Sequence, residues 1–397
     1  MRLLLIPALA ALPLLSQSAP PSGFSPDRLT RIRQQLRSDV DSKVIPGAVL
    51  LIQRNGKPAF HEPVGFQNRA ANAPMRTDTI FRVASMTKPM ATVAAMMLAE
   101  EGQLDLWAPV SKYLPEFRDL KVGPELATPK RAPTVLDLMR HTSGLTYGIF
   151  GNSPVDDLYK KSNPFAAPSL AAMVSAVAKL PLLHQPGEVW EYSVSTDVLG
   201  RVVEVVSGQD FDRFIAERIT KPLKMKDTGF YLTKEQAARL AVPDGPMFGA
   251  SGADPTVRPG LIMPGGGAYS TAADYARFCQ MLLNGGELEG VRLLAPHSVA
   301  LMTSDQLPAT TRRNTGVAVN LGPFGPTPEM GTSFGLGFAV RVDPGRNPLP
   351  GSVGDFSWSG ITGTLFWVDP KEKLIAIWMV QVPPTSNNYL YRRIRTL

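Results

Sequence analysis

The chain has 397 residues, 44% hydrophobic and 19% charged, a balance that fills a buried core and excludes an intrinsically disordered protein. A single hydrophobic core stops growing near roughly 250–300 residues, so about two structural units are expected. The net charge of +7 is scattered except at Arg392, Arg393 and Arg395, which read as the solvated side of a terminal helix and argue against a nucleic-acid partner.

In chain order, Met1-Arg2 puts a positive charge ahead of the apolar stretch Leu3–Leu15, and Ser16-Gln17-Ser18 supplies small residues where a signal peptidase cuts. Residues 1–18 are expected to be a secretory signal peptide, with the exported product starting near Ala19 in the periplasm or the medium. The stretch is shorter than the roughly 20 residues of a membrane-spanning helix, so no membrane anchor is expected. Ser25-Pro26 starts an amphipathic helix over Asp27–Lys43. Gly47–Gln53 and Lys57–Val64 flank Asn55-Gly56, which tolerates the positive φ of a tight turn, and predict a β-hairpin. Met90, Val93, Ala94, Met97 and Leu98 recur at helical spacing in a buried helix that stops at Gly102.

Residues Leu106–Pro264 are expected to be mainly helical, with long loops such as Asp119–Pro133. One helix presents Val198, Leu199, Val202, Val205 and Val206, stops at Ser207-Gly208, and is followed by another over Phe211–Ile219. Thr271, three residues before Asp274, opens a further helix in the manner of a capping box and turns Tyr275, Phe278, Cys279 and Leu282 inward. Cys279 is the single cysteine, a core residue on this reading, and excludes an intrachain disulfide or a thiolate zinc cluster. Leu365–Val368 and Leu374–Val380 form a second hairpin around Asp369-Pro370, and Asn388–Leu397 is helical. The fold class expected is α/β: a discontinuous α/β domain from residues 25–105 and 265–397, beside a mainly helical domain over 106–264. Long loops, Ser304–Thr332 among them, are expected to line the cleft.

Ser85 and Lys88 form the one Ser-x-x-Lys spacing in the chain. They fall on one face at a helix N-terminus, where unpaired N–H groups and the helix dipole favour a serine alkoxide. Lys88, once desolvated, accepts or relays the hydroxyl proton without any histidine. Pro89 fits the first turn of the helix but disfavours helical backbone at Lys88. The competing motif Gly331-Thr332-Ser333-Phe334-Gly335 matches Gly-x-Ser-x-Gly, yet no helix is expected after Ser333 and the last histidine, His297, precedes it; it reads as a glycine-rich turn. The four histidines show no metal-binding pairing, and neither a metal nor an organic cofactor is expected.

Around this motif the sequence resembles the serine β-lactamase and penicillin-binding-protein superfamily, in its class C-like branch. The resemblance is carried in order by Phe81–Lys88, Leu104-Asp105-Leu106, His141-Thr142-Ser143-Gly144, Gln185-Pro186-Gly187 with Tyr192-Ser193, Gly265-Gly266-Gly267 and Trp358-Ser359-Gly360. It implies an antiparallel sheet flanked by helices next to a helical domain. It also implies Ser85 as the acyl-forming nucleophile, Lys88 as its partner and Tyr192 as general base or proton relay. The Ser85 and Ile361 backbones would form the oxyanion hole, Trp358, Ser359 and Gly360 would bind substrate, and His141 is a structural loop residue.

Two departures choose between branches. Tyr192-Ser193-Val194 has valine where β-lactamases and peptidases carry asparagine, and Trp358 stands where they carry the lysine of Lys-Thr-Gly. Both changes are similar to the family VIII carboxylesterases. An ester without a carboxylate needs no such cation, and an indole adds apolar contact area. The expectation is an exported serine hydrolase acting on a small ester or acyl substrate. A β-lactamase or D-alanyl-D-alanine carboxypeptidase is the alternative enzyme, and a silent module binding cell-wall peptides or β-lactams the non-enzyme one. No oligomeric state follows from the sequence.

Overall fold

Apolar strands from the two ends of the chain complete one sheet. The structure, a computed structural model, describes residues 23–245, 253–313, 321, 325–344, 346–383 and 387–396. The expected signal peptide lies outside the described residues, as do 314–320 and 322–324 of the loop expected to line the cleft. The strands are β1 Gly47–Arg54, β2 Lys57–Asn68, β3 Ala73–Pro74, β4 Phe81–Arg82, β5 Tyr269–Ser270, β6 Glu287–Leu288, β7 Val291–Arg292, β8 Thr332–Phe334, β9 Ala339–Arg341, β10 Phe356–Ser359, β11 Leu365–Asp369 and β12 Leu374–Val380. Eight of them form an antiparallel sheet in the order β3-β2-β1-β12-β11-β10-β9-β8. Ala48 of β1 faces Val380 of β12, so the chain ends meet at the sheet centre.

Both predicted hairpins form. Asn55 and Gly56 take φ values of 54° and 72°, the left-handed pair that a tight two-residue turn requires. Successive residues of a strand point to opposite faces, and β11 uses this to separate two layers. Phe366 lies 5.1 Å from the Tyr275 ring of helix Ala272–Leu283, whereas Arg395 of terminal helix Asn387–Thr396 lies over the Trp367 ring. The helix Lys88–Glu100 is buried all round from Lys88 to Leu98, and it packs against helix Ser195–Ser207 of the helical region. Among the described residues no helix is long and apolar enough to cross a membrane.

Several expectations change in detail. In helix Ser195–Ser207 the buried stripe is Val198, Leu199, Val202 and Val203, while Val205 is exposed. Phe211–Ile215 is α-helical but Ala216–Thr220 widens into a π-helix that still buries Ile219. Thr271 caps the Asp274 N–H, but the Asp274 carboxylate accepts from Asp227 N–H and the Thr228 hydroxyl, leaving the box half-formed. Ser333 belongs to strand β8 and not to a turn. The basic tail is only partly solvated: Arg392 is exposed, but Arg395 is buried and pairs with Asp355, which also binds Arg341 at 2.8 Å, and Arg393 bonds Asp39 at 2.9 Å. Two of the three tail arginines are thereby neutralised within the fold.

The segment His141–Gly144 is held by one carboxylate. Asp137, fully buried in helix Val135–Met139, accepts from Arg131 at 2.5 Å, Arg140 at 3.0 Å and the Thr142 hydroxyl at 2.8 Å, and closes a capping box with Thr134. Burial pushes its pKa up, but the Arg131 and Thr134 hydrogen bonds and the two arginine charges outweigh this and hold it below the usual carboxylate value. A depressed folded pKa stabilises the protein above the unfolded value, and the contribution disappears as pH falls through the folded one. Asp137→Ala should therefore destabilise the protein at neutral pH by about 3–5 kcal/mol in chemical denaturation, as breaking a buried pair does. The gap from wild type should narrow as pH drops below the ordinary carboxylate range.

Candidate active site

Ser85 sits in a 3-10 turn, Ala84–Thr87, that runs directly into helix Lys88–Glu100. Ala84 has φ 45°, a left-handed backbone that is strained for a residue with a Cβ. The strain is held in place by surrounding bonds. Val83 N–H donates to Ala268 O at 3.0 Å, the Thr87 hydroxyl to Ala84 O at 2.7 Å, and the Tyr275 hydroxyl to Met86 O at 2.8 Å. Lys88 takes helical angles, φ −55° and ψ −43°, despite Pro89; the preceding turn has already set the chain direction, and a first-turn proline forfeits no intrahelical bond.

Lys88 is 1% exposed. Its ammonium donates to Ser85 Oγ at 3.2 Å, Tyr147 Oη at 2.9 Å and the Gly265 carbonyl at 2.6 Å. Each ammonium proton thus has an acceptor, which is what a buried cation requires. Gly265 is fixed in turn by Asp197, whose Oδ1 accepts its N–H at 2.8 Å, and a Cβ on Gly265 would lie 2.5 Å from Asp197 Oδ2. Burial raises the Asp197 pKa, opposed by the Lys88 charge and the Gly265 N–H. Its Oδ2 is buried with no hydrogen-bond partner among the described residues.

The structure brings Ser85, Lys88 and Tyr192 together, but it places a second phenol between the last two. Lys88 Nζ lies 4.6 Å from the Tyr192 ring centroid, over its face, while the hydroxyl it bonds belongs to Tyr147. The Tyr147 ring packs 5.3 Å from the Tyr192 ring. Burial, with the neighbouring Tyr192 and Asp197 charges, holds the Tyr147 pKa well above its ordinary value. An oxygen that accepts from an ammonium keeps its own proton to donate, so Ser85, Lys88 and Tyr147 form one hydrogen-bonded chain whose last ring packs on Tyr192.

Beneath Tyr192 lies a buried chain of hydroxyls. Ser143 Oγ and Ser193 Oγ are each 2.7 Å from Ser195 Oγ, and Ser193 reaches His141 Nδ1 at 3.4 Å. The His141 ring lies 5.0 Å from the Tyr192 ring at a tilt of 57°, and burial lowers its pKa well below the ordinary value, consistent with a neutral structural ring. Trp358 differs from the expectation that it faces substrate. It is 1% exposed, packs 5.4 Å from Tyr192 and 5.3 Å from Phe334, and backs the phenol. Strand alternation then sends Ser359 to the other face, that of the terminal helix, whose Tyr391 hydroxyl donates to the neighbouring Gly360 O at 2.8 Å. Gly360 permits close approach, since a Cβ there would be 2.5 Å from Val83 O. Thr362 and Thr364 hydroxyls donate to Arg82 O and Val83 O at 2.9 and 3.2 Å, which fastens the turn containing Ile361 to the segment ahead of Ser85. Ser333 is fully buried, donates to Asp305 and accepts from Arg313, so it lies outside this constellation.

The family model described as Beta-lactamase matches residues 32–396. The chain belongs to the beta-lactamase family. It is 36% identical over 365 residues to Protein Rv1367c of Mycobacterium tuberculosis, covering 88% of this chain and 89% of that one. Esterase EstB of Burkholderia gladioli is 31% identical over 382 residues, with 89% and 91% covered. Among solved structures, EstCE1, a hydrolase with promiscuous acyltransferase activity, superposes with a TM-score of 0.75 at 25% identity, covering 93% of this chain and 98% of that one. This family chain is a serine hydrolase.

Sequence reasoning did not single out Tyr147 or Asp197. Tyr147 follows the quoted His-Thr-Ser-Gly motif by three residues and Asp197 follows Tyr192 by five, so proximity to the motifs was the available signal. Tyr147→Phe keeps the ring stacked on Phe165 and removes only the hydroxyl. Turnover of p-nitrophenyl acetate should fall about a hundredfold or more in kcat, within the range that proton-transfer groups supply, with an unchanged far-UV spectrum. An unaltered kcat would take the Tyr147 hydroxyl out of the path.

Proposed function

We propose that the chain is an exported carboxylesterase that works through an acyl-enzyme on Ser85. The observation that carries this reading is the buried Lys88 bonded to Ser85 between the Tyr147 and Tyr192 rings, with Trp358 behind Tyr192, an indole in the third motif where a carboxylate-binding lysine would favour β-lactams and peptides. Esterase EstB, similar over most of both chains, supports the ester class.

In this mechanism the reacting cluster of Lys88, Tyr147 and Tyr192 holds one proton fewer than its fully protonated form, so Ser85 Oγ attacks the ester carbonyl and gives its proton to that cluster through Lys88 Nζ. The ammonium 3.2 Å away stabilises developing negative charge on Oγ. The Ser85 and Ile361 backbone N–H groups take the carbonyl oxyanion. The tetrahedral adduct collapses, the C–O bond to the alcohol breaks, and the cluster returns the proton to the leaving oxygen. Water then attacks the acyl-enzyme along the reverse proton path, releasing the acid and restoring Ser85. Trp358 contributes by fixing the Tyr192 ring.

Ser85→Ala should abolish hydrolysis of p-nitrophenyl butyrate, while Ser333→Ala keeps most of it. A fluorophosphonate should add one adduct that maps to the Ser85 peptide. Label on Ser333, or activity surviving loss of Ser85, would reject the assignment. Turnover of a cephalosporin faster than of the nitrophenyl ester would favour the β-lactamase alternative.

A further inference from the structure

One large apolar side chain beside the candidate site is left open to solvent. Phe150 is 42% exposed, yet its ring lies 5.8 Å from Tyr147 and 6.2 Å from Tyr192. With Trp358 against Tyr192, a ladder of rings runs from the core to solvent. Its neighbour Ile149 is also exposed, at 46%.

The loop that presents these residues is built and anchored. Gly148 has φ 75°, and a Cβ there would sit 2.5 Å from Tyr159 Cβ, so the backbone lies directly on helix Pro154–Ser162. Gly148 N–H donates to the Thr146 hydroxyl at 3.0 Å, and that hydroxyl donates to Asp156 at 3.1 Å. Lys160 holds the Gly151 carbonyl at 3.0 Å. Phe150 is therefore fixed beside the two phenols, with apolar surface left open to water.

We infer that Phe150, with Ile149 beside it, is a specificity-determining wall for the alcohol portion of a lipophilic ester. The inference rests on the carboxylesterase reading. In that reading the leaving oxygen receives its proton from the Tyr147–Tyr192 pair, so the group attached to that oxygen emerges next to these phenols. Phe150 is the exposed ring in contact with both. The acyl chain departs from the carbonyl carbon, whose oxygen points to the Ser85 and Ile361 backbone. Apolar alcohol groups would cover Phe150 and gain by leaving water, whereas methanol could not reach it.

The test uses two substrate series. In one, acetate is held constant and the alcohol runs from methyl through butyl to benzyl; in the other, methyl is held constant and the acid runs from acetic through butyric to phenylacetic. Wild type should prefer benzyl acetate to methyl acetate in kcat/KM. Phe150→Ala should lower that preference about fivefold or more, within the discrimination that hydrophobic pockets achieve, and leave the acyl series ratios unchanged. Phe150→Leu, which keeps apolar area, should restore part of the preference and guards against a folding effect. An unchanged alcohol preference in Phe150→Ala, or an equal fall in the acyl series, overturns the inference. Absence of hydrolysis of every ester by wild type overturns the carboxylesterase reading itself.

Discussion

A single buried cation organises the centre of this molecule. Lys88 is desolvated and supplied with three acceptors that come from three separated parts of the chain: Ser85 one turn before it, Tyr147 after the His-Thr-Ser-Gly segment, and Gly265 in the glycine triplet. An ammonium withdrawn from water costs several kcal/mol unless its hydrogen bonds are replaced, so each of these segments must arrive in register for the fold to close. Asp197 fixes the Gly265 peptide, and the hydroxyls of Ser143, Ser193 and Ser195 tie the Tyr147 loop to the Tyr192 segment. The arrangement needed to hold the charge is the same one that places a nucleophile beside it.

The sheet supplies the other side of the site. Strand β10 is followed by Gly360, close enough to Val83 for backbone contact, and two threonine hydroxyls bind the carbonyls that precede the strained Ala84. The terminal helix secures this junction from behind, since the Tyr391 hydroxyl donates to Gly360 O at 2.8 Å and Arg395 pairs with Asp355 at the start of β10. The strain at Ala84 is thus maintained by packing that reaches both ends of the chain, which explains why distant strands must unite before the nucleophile is shaped.

Local signals were readable in the sequence, and long-range polar partnerships were not. Asn55-Gly56 and the helix at Met90–Leu98 rest on backbone geometry within a few residues, and they formed as expected. The Val205 expectation failed because an amphipathic stripe leaves its exact phase open: one step around the helix exchanges Val205 for Val203. Arg393 and Arg395 read as solvated because Asp39 and Asp355, their neutralising partners, are remote in sequence. Tyr147 escaped notice for the same reason, as its meaning lies in an ammonium from another segment. Trp358 was expected to bind substrate and is instead buried against Tyr192, because a strand position alone does not distinguish a cleft wall from a buried support.

The central claim is that the caged Lys88 ammonium activates Ser85. It is tested most directly by the rate at which a fluorophosphonate labels Ser85 in Lys88→Met, a replacement of similar length without charge, followed by intact mass and peptide mapping in protein whose circular dichroism matches wild type. Labelling at least a hundredfold slower than wild type is the predicted result, in line with the loss of a group that supplies charge stabilisation and proton transfer. Labelling of Ser85 at the wild-type rate would contradict the account.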